Sequence, residues 1–381
     1  GLARFDQFLA LAEEAGIYVH PTGPDHWEGL PAWARGDRIA DDTVLSALES
    51  FWKLFAARYR GRPVIFAYDL LNEPSVGWGT APMRPKWNRW LEQRYGSLEK
   101  VQAAWGRTNT MDPWGDLPPP KPAEAPRSRE LLDYQLFREQ LADDWTRRQA
   151  AAIKAADPDA LVTVGLIQWS VPALLPGVQH YSAFRPERQA PLLDFLEIHF
   201  YPLARGAYEY RTVEDEAQNL AYLESVVREV ARPGKAVVVA EFGWYGGGKP
   251  TFGGGRHPAA TEEQQAQWCR RAVETTEGLA VGWLNWGLYD HPEARDCTEL
   301  TGLLTSTGQT KAWGRAFESL ARRLRGRSLV PPKLGPRPTL DWDLALTSPK
   351  AAGEFRAEYL EAFRADVARK PEGKDQPEPT P

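Results

Sequence analysis

The chain has 381 residues, 43% hydrophobic and 25% charged, with a formal net charge of −5. That size supports a sizeable core in one large domain or two medium ones, and the absence of a basic block argues against nucleic acid as a partner. No apolar run is long enough to span a bilayer, and two cysteines, Cys269 and Cys297, are too few for a disulfide framework and lack metal-site spacing.

Residues 2–15 carry Phe5, Phe8, Leu9 and Ala12 at helical spacing, and Gly16 closes the helix. Upstream sequence is expected before Gly1. Any secretion signal would lie there, so localisation stays open between secreted, periplasmic and other. Ile17–His20 reads as a short strand. Asp41 or Asp42 caps a helix whose stripe is Val44, Leu45, Leu48, Phe51, Trp52 and Phe55. The stretch Val64–Pro74, VIFAYDLLNEP, is an almost unbroken apolar run ending in Asn72-Glu73-Pro74. It predicts a strand buried on both faces that stops at Pro74, with Glu73 at its carboxyl end.

Residues 75–129 differ, with Trp78, Trp87, Trp90, Trp105, Trp114 and the run LPPPKPAEAP. One or two short helices are expected over 87–106 and loop elsewhere; connections this long are usually functional. A helix begins near Ser128 and runs out at Asp157. Strands follow at 161–167, 192–201, 236–241 and 279–286. Trp169 lies after the first of these, and helices at 213–230, at 261 onward (a Thr261/Gln264 capping box) and around Trp313–Leu324 separate or follow the others.

Strand and helix thus alternate six times, which fits a doubly wound sheet or a (β/α)8 barrel from its third strand onward. No Gly-rich phosphate loop follows any strand, which weakens the nucleotide-binding version. The expected fold is α/β: a (β/α)8 TIM barrel over residues 1–326, apparently lacking its first two strands. Residues 327–381 then form a C-terminal extension with a helix near 349–369 and a disordered Pro-rich tail. A permuted barrel with Leu340–Leu346 as a strand is the weaker alternative.

The strand ends share a chemistry. They carry His20; Asn72 and Glu73; His199 and Tyr201; Glu241; and Trp283, Asn285 and Trp286, all expected at one rim. Two carboxylates from non-adjacent strands suit hydrolysis of a glycosidic bond, one protonating the leaving oxygen and the other ionised. Trp-rich loops suit the same substrate, because sugar C–H faces stack on indole rings. Each residue also has a blander role. A lone His199 or Trp283 is more often core, and Glu197 reads as a structural partner. His20 and His26 with Asp25 match no standard metal site, so neither metal nor cofactor is expected.

Together Asn72-Glu73-Pro74, His199-Phe200-Tyr201, Glu241-Phe242-Gly243 and Trp286 resemble the clan A retaining glycoside hydrolases, most closely family 5. Tyr95-Gly96-Ser97-Leu98 with Ala104-Trp105-Gly106 looks like a segment of the family 42 β-galactosidases. The resemblance covers about residues 2–325. It implies Glu73 as acid/base, Glu241 as nucleophile, Asn72 as a ligand of the sugar 2-hydroxyl, and His199 and Tyr201 as supporting residues. With Trp286, His20, Trp27, Trp78, Trp169 and Trp244 these form the expected carbohydrate-binding set. The expected protein is a monomeric retaining β-glycosidase acting on a β-glucan or β-mannan type of substrate. The alternative is a non-catalytic carbohydrate-binding barrel or an inactive fragment. Two departures stand out: the family's strand-two Arg has no counterpart here, and neither His20 nor His26 falls squarely on its strand-three His.

Overall fold

Five β-rich stretches line up as one parallel sheet in the order β1-β2-β3-β4-β5. They are β1 (Tyr68–Asn72), β2 (Val162–Ile167), β3 (Leu196–Phe200), β4 (Val237–Phe242) and β5 (Gly282–Asn285). In this computed structural model the described residues are 1–24, 31–34, 37–202 and 213–369. Asp25, His26, Trp27 and the tail beyond 369 lie outside them.

Helices connect the strands and cover the sheet. In chain order they are α1 (Leu2–Glu14), α2 (Asp42–Tyr59), α3 (Met83–Tyr95), α4 (Leu98–Trp105), α5 (Arg129–Ala156), α6 (Pro186–Gln189), α7 (Val213–Ala231), α8 (Glu262–Thr276), α9 (Ala312–Leu324), α10 (Trp342–Ala345) and α11 (Pro349–Arg369). Of the expected Asp41 or Asp42, Asp41 is the cap, accepting from the Thr43 and Val44 amides, and Thr261 with Gln264 forms the expected capping box; Ser128, at the expected helix start, caps α5 by accepting from Leu131. Strands in sequential order with helical crossovers form part of the wall of a (β/α)8 barrel. Neither Cys269, a buried free thiol, nor any helix long and apolar enough to cross a membrane alters that picture among the described residues.

Several boundaries differ from the sequence pattern, for local reasons. The first strand appears as a parallel edge at Val19 and Thr22, two residues later than Ile17–His20 suggests, pairing with Ile65 and Asp69. Regular ladder in the Val64–Pro74 run is confined to Tyr68–Asn72, because residues 64–67 lie below the start of β2 and pair only with that edge. Phe66 there is 43% exposed. The strand expected over 192–201 is regular only at Leu196–Phe200: Leu192 ends a 3-10 turn, and the Asp194 carboxylate accepts from the Val162 amide. Among the described residues, neither the Val19 edge nor β5 pairs with a further strand. Ile17 and Tyr18 at one edge and Val281 and Leu284 at the other are exposed.

The tryptophans of residues 75–129 mostly pack with one another. Trp87 stacks on Trp90 at 5.5 Å and on Trp105 at 6.1 Å, and Trp105 Nε1 donates to buried Asp133. They knit α3 and α4 onto α5. The C-terminal residues pack onto α7: Leu340, Trp342, Phe355, Tyr359 and Phe363 join the main core. Arg337, with its side chain 1% exposed, donates to Glu224 at 2.7 Å and to Asp366 at 3.1 Å.

Removing one partner of a buried ion pair leaves an uncompensated charge. Arg337→Met is therefore expected to lower unfolding free energy by about 3 kcal/mol in urea denaturation. A loss below about 1 kcal/mol, the range of an exposed pair, would show that this pair does not pin α11 to α7.

Candidate active site

The carboxyl ends of the strands are where the ladder becomes irregular. Pairing shifts between Asp69 and Asn72 on β1, between Ile198 and His199 on β3, and between Val239 and Phe242 on β4. Such irregularities re-aim side chains. Glu73 follows β1 with a left-handed φ of 46°, an uncommon conformation for a residue with a side chain. Its amide donates to the Gly165 carbonyl at 2.8 Å, so the turn is tied to β2.

Glu73, His199 and Glu241 meet here. His199 Nδ1 lies 3.2 Å from Glu73 Oε1 and 3.1 Å from Glu241 Oε2. One oxygen of each carboxyl and one ring nitrogen all lie within 4.8 Å of one another. The Glu73 side chain is 29% exposed and that of Glu241 11%. Burial and the nearby Glu241 carboxylate raise the Glu73 pKa, while His199 opposes the rise. Burial alone would discharge His199. Its hydrogen bonds to Glu241 and Glu73 prevail and push it up to about 10. Three such groups also meet the spacing of a metal site.

Beneath this trio lies a second layer of buried charge: His20, expected from the sequence to contact sugar, Glu197, expected as a structural partner, and Asp69, which the sequence pattern did not single out. Asp69 on β1 is 4% exposed, and its Oδ1 accepts from the Gly165 amide at 2.8 Å and the Leu71 amide at 3.2 Å. Glu197, 1% exposed, takes His20 Nε2 at 2.8 Å, while His20 Nδ1 bonds the Ala67 carbonyl at 2.8 Å. Burial opposes the charge on His20, but Glu197 outweighs it and raises the ring to about 9. His20 thus serves inside the sheet, 17% exposed, as the partner of Glu197. One signal was available in the sequence: a lone acid inside an apolar strand, as in YDLL and FLEI.

The other expected contacts separate. Asn72 ends β1 half-buried. Tyr201 is 6% exposed, and its amide is held by Gln168 Oε1 at 2.8 Å. Trp286, following β5, is 41% exposed, beside Gly243 of the β4 end, with Nε1 on Thr298 at 3.1 Å. It offers an open indole face. Trp244 does not: it is 1% exposed and packs on Tyr245 at 4.9 Å, which removes it from the sugar-contacting set. Trp78 gives Nε1 to the Pro120 carbonyl, rests on Tyr134 at 4.7 Å and lies under Arg138. It is a packing element of the long loop. Trp169 is half-buried in a 3-10 turn after β2.

Two buried cations hold the rim loops. Arg138 on α5 donates to the Val76, Gly77 and Tyr181 carbonyls, bracing the turn just past Glu73. Lys311 donates to Asp290 and to the Gly246 and Leu300 carbonyls, joining the loops after β4 and β5. A cleft of about 630 Å³ lined by Arg228, Lys235 and Val281 lies at the other ends of the strands, away from these carboxylates.

Gly165 separates the two layers. A Cβ there would sit 3.0 Å from His199 Cε1 and Nε2 and 3.2 Å from Asp69 Oδ2. His199 is held by two carboxylates and cannot yield, so Gly165→Ala is expected to lower stability by about 1–3 kcal/mol in denaturant unfolding. A neutral result would contradict a fixed ring.

Comparison with known proteins agrees with this geometry. The β-galactosidase of Halorubrum lacusprofundi superposes with a TM-score of 0.74 at 17% identity, over 96% of this chain and 57% of that one. A family 42 β-galactosidase of G. stearothermophilus gives 0.69 at 13% identity, over 96% and 56%. A family 5 subfamily 18 hydrolase of Streptomyces cattleya, solved with Manβ1-4GlcNAc, gives 0.59 at 20% identity, over 96% and 78%. These likenesses establish a TIM-barrel fold. In sequence, 79 residues are 38% identical to a β-galactosidase of H. lacusprofundi, covering 19% of this chain and 11% of that protein. The chain therefore spans little more than half the length of the family 42 structures. The family 5 likeness holds at the level of fold, whereas the direct match is to the model of the glycoside hydrolase family 42 β-galactosidases, over residues 41–242. That match covers more than half of the chain, which therefore belongs to glycoside hydrolase family 42.

Proposed function

We propose that this chain carries the catalytic centre of a retaining β-glycosidase, with Glu73 as acid/base and Glu241 as nucleophile. The observation that carries this reading is the pair of carboxyls from β1 and β4 within 4.8 Å, sharing one imidazole. Retaining enzymes hold their carboxyl groups about 5–5.5 Å apart, and inverting ones about 6.5–9.5 Å.

In the first step the Glu241 oxygen bonds to the anomeric carbon as the C–O bond to the leaving group breaks. The proton of Glu73 passes to the departing oxygen. In the second step water attacks the same carbon, Glu73 takes its proton, and the bond to Glu241 breaks. The negative charge sits on Glu241 before the first step and on Glu73 after it. His199 touches both, so its cation faces the charged carboxylate in each half of the cycle. Tyr201 supports Glu241, Asn72 meets the 2-hydroxyl, and Trp286 stacks on a sugar face.

Family membership favours a β-galactoside as substrate. A β-mannoside or β-glucan, the narrower expectation from sequence, is the second reading, supported by the likeness to the S. cattleya hydrolase. A panel of aryl β-glycosides separates them: the galactoside is expected to be cleaved fastest, with the β-anomer formed first by NMR. Binding of oligosaccharide in calorimetry with no release from any glycoside would favour a non-catalytic barrel.

Glu241→Ala is expected to lower kcat about a thousandfold or more, with azide giving the inverted glycosyl azide. Near-normal turnover would refute the nucleophile. Glu73→Ala should cost about 10²–10⁴-fold on substrates with poor leaving groups and much less on activated aryl glycosides. Because Glu73 must be protonated and its pKa is raised, kcat/KM should fall on the alkaline side. That limb should vanish in the Ala variant. A limb that persists unchanged would mean another group supplies the proton.

A further inference from the structure

We propose that Asp69 is a positioning residue for this hydrolysis: across the side-chain-free space at Gly165, its carboxylate keeps His199 oriented between Glu73 and Glu241.

The geometry is specific. Asp69 lies four positions before Glu73, on the strand that carries it, and its Oδ1 is anchored by the Gly165 and Leu71 amides. That leaves Oδ2 directed at the Gly165 position, where His199 Cε1 and Nε2 also converge. The imidazole is thus flanked on both sides. Nδ1 faces Glu73 at the end of β1 and Glu241 on β4, and the Nε2 edge faces the side of Gly165 on which Asp69 lies. Glu197, two residues before His199 on β3, and His20 from the first edge complete the buried set. Glu197 is occupied by His20 at 2.8 Å, so Asp69 is the acid left to face His199 from below.

Asp69 is held unfavourably. Burial first, and Glu197 second, raise it to about 6, while His20, the Gly165 amide and His199 pull it down. Among the described residues Asp69 has no ion pair of its own, and such a buried acid is costly to retain. Its effect on the two catalytic carboxylates runs through the field around His199. With Asp69 neutral the imidazolium, still held by Glu73 and Glu241, loses an opposing anion, so the surroundings of Glu73 become more positive and Glu73 gives up its proton more readily.

The inference rests on Glu73 and Glu241 being the catalytic pair, and its test is kept separable from that reading. Asp69→Asn retains an Oδ1 acceptor for both amides and removes only the charge. The alkaline limb of kcat/KM for an aryl β-glycoside is expected to move to lower pH by at least about half a unit, with kcat at the optimum reduced about tenfold and KM little changed. A limb that stays in place, whether the rate is unchanged or uniformly lower at every pH, would overturn the proposal, since a purely structural role lowers activity without moving the limb.

A second measurement needs no activity. In protein with ¹⁵N-labelled histidine, the His199 ring should remain protonated through pH 8 and show a shift near pH 6 as Asp69 titrates, and that shift should be lost in Asp69→Asn. A His199 signal with no step between pH 5 and 7, or a step that persists in Asp69→Asn, would overturn the proposal even if the enzyme hydrolyses glycosides. A wild type that hydrolyses nothing yet shows a step that Asp69→Asn removes would overturn the catalytic reading and leave the coupling standing.

Discussion

Two carboxyl groups within 4.8 Å of each other, largely buried, must share one imidazole. Two full negative charges at that distance would repel by about 3–4 kcal/mol at an effective dielectric constant of 20. The site relieves this in two ways. One carboxyl, Glu73, has its pKa raised by burial and by its neighbour. The imidazole, His199, is kept charged well above neutrality by both acids. The proposed double displacement would start with a proton on one acid, charge on the other and a cation between them.

Much of the surrounding structure holds that trio in place. The ladder irregularities turn side chains at three strand ends. Glu73 adopts a left-handed backbone that the Gly165 carbonyl holds from β2. Arg138, buried over the Trp78 ring, fixes the next turn by three carbonyls, and Lys311 fixes the loops beyond β4 and β5. A buried cation bonded to backbone oxygens leaves little freedom to the loop that supplies them. Loops of this kind place side chains to within the tolerance that catalysis demands.

The alternation of apolar runs with amphipathic stretches was legible in the sequence, as were a cap at Asp41 or Asp42, the capping box at Thr261 and the helix start near Ser128. Each depends on local chemistry within a few residues. The pair Glu73 and Glu241 was legible because each ends a buried run at a turn. Exposure of individual tryptophans was not. Trp244 and Trp286 both follow strand ends, yet one is enclosed by Tyr245 and the other stands open, since burial depends on loops remote in sequence. Asp69 and Glu197 were visible as acids in apolar strands, but their relation to His199 and His20 depends on register between strands 130 and 177 residues apart. A missing side chain at Gly165, between His199 and Asp69, can only be read from the assembled sheet.

The most direct measurement is covalent trapping. A 2-deoxy-2-fluoro β-glycoside with an activated leaving group should inactivate the protein with one label per chain. Peptide mapping by mass spectrometry should find the sugar on Glu241. A label on Glu73, or steady turnover of the parent aryl glycoside with no label at all, would contradict the assignment of charge and proton to these two carboxyls.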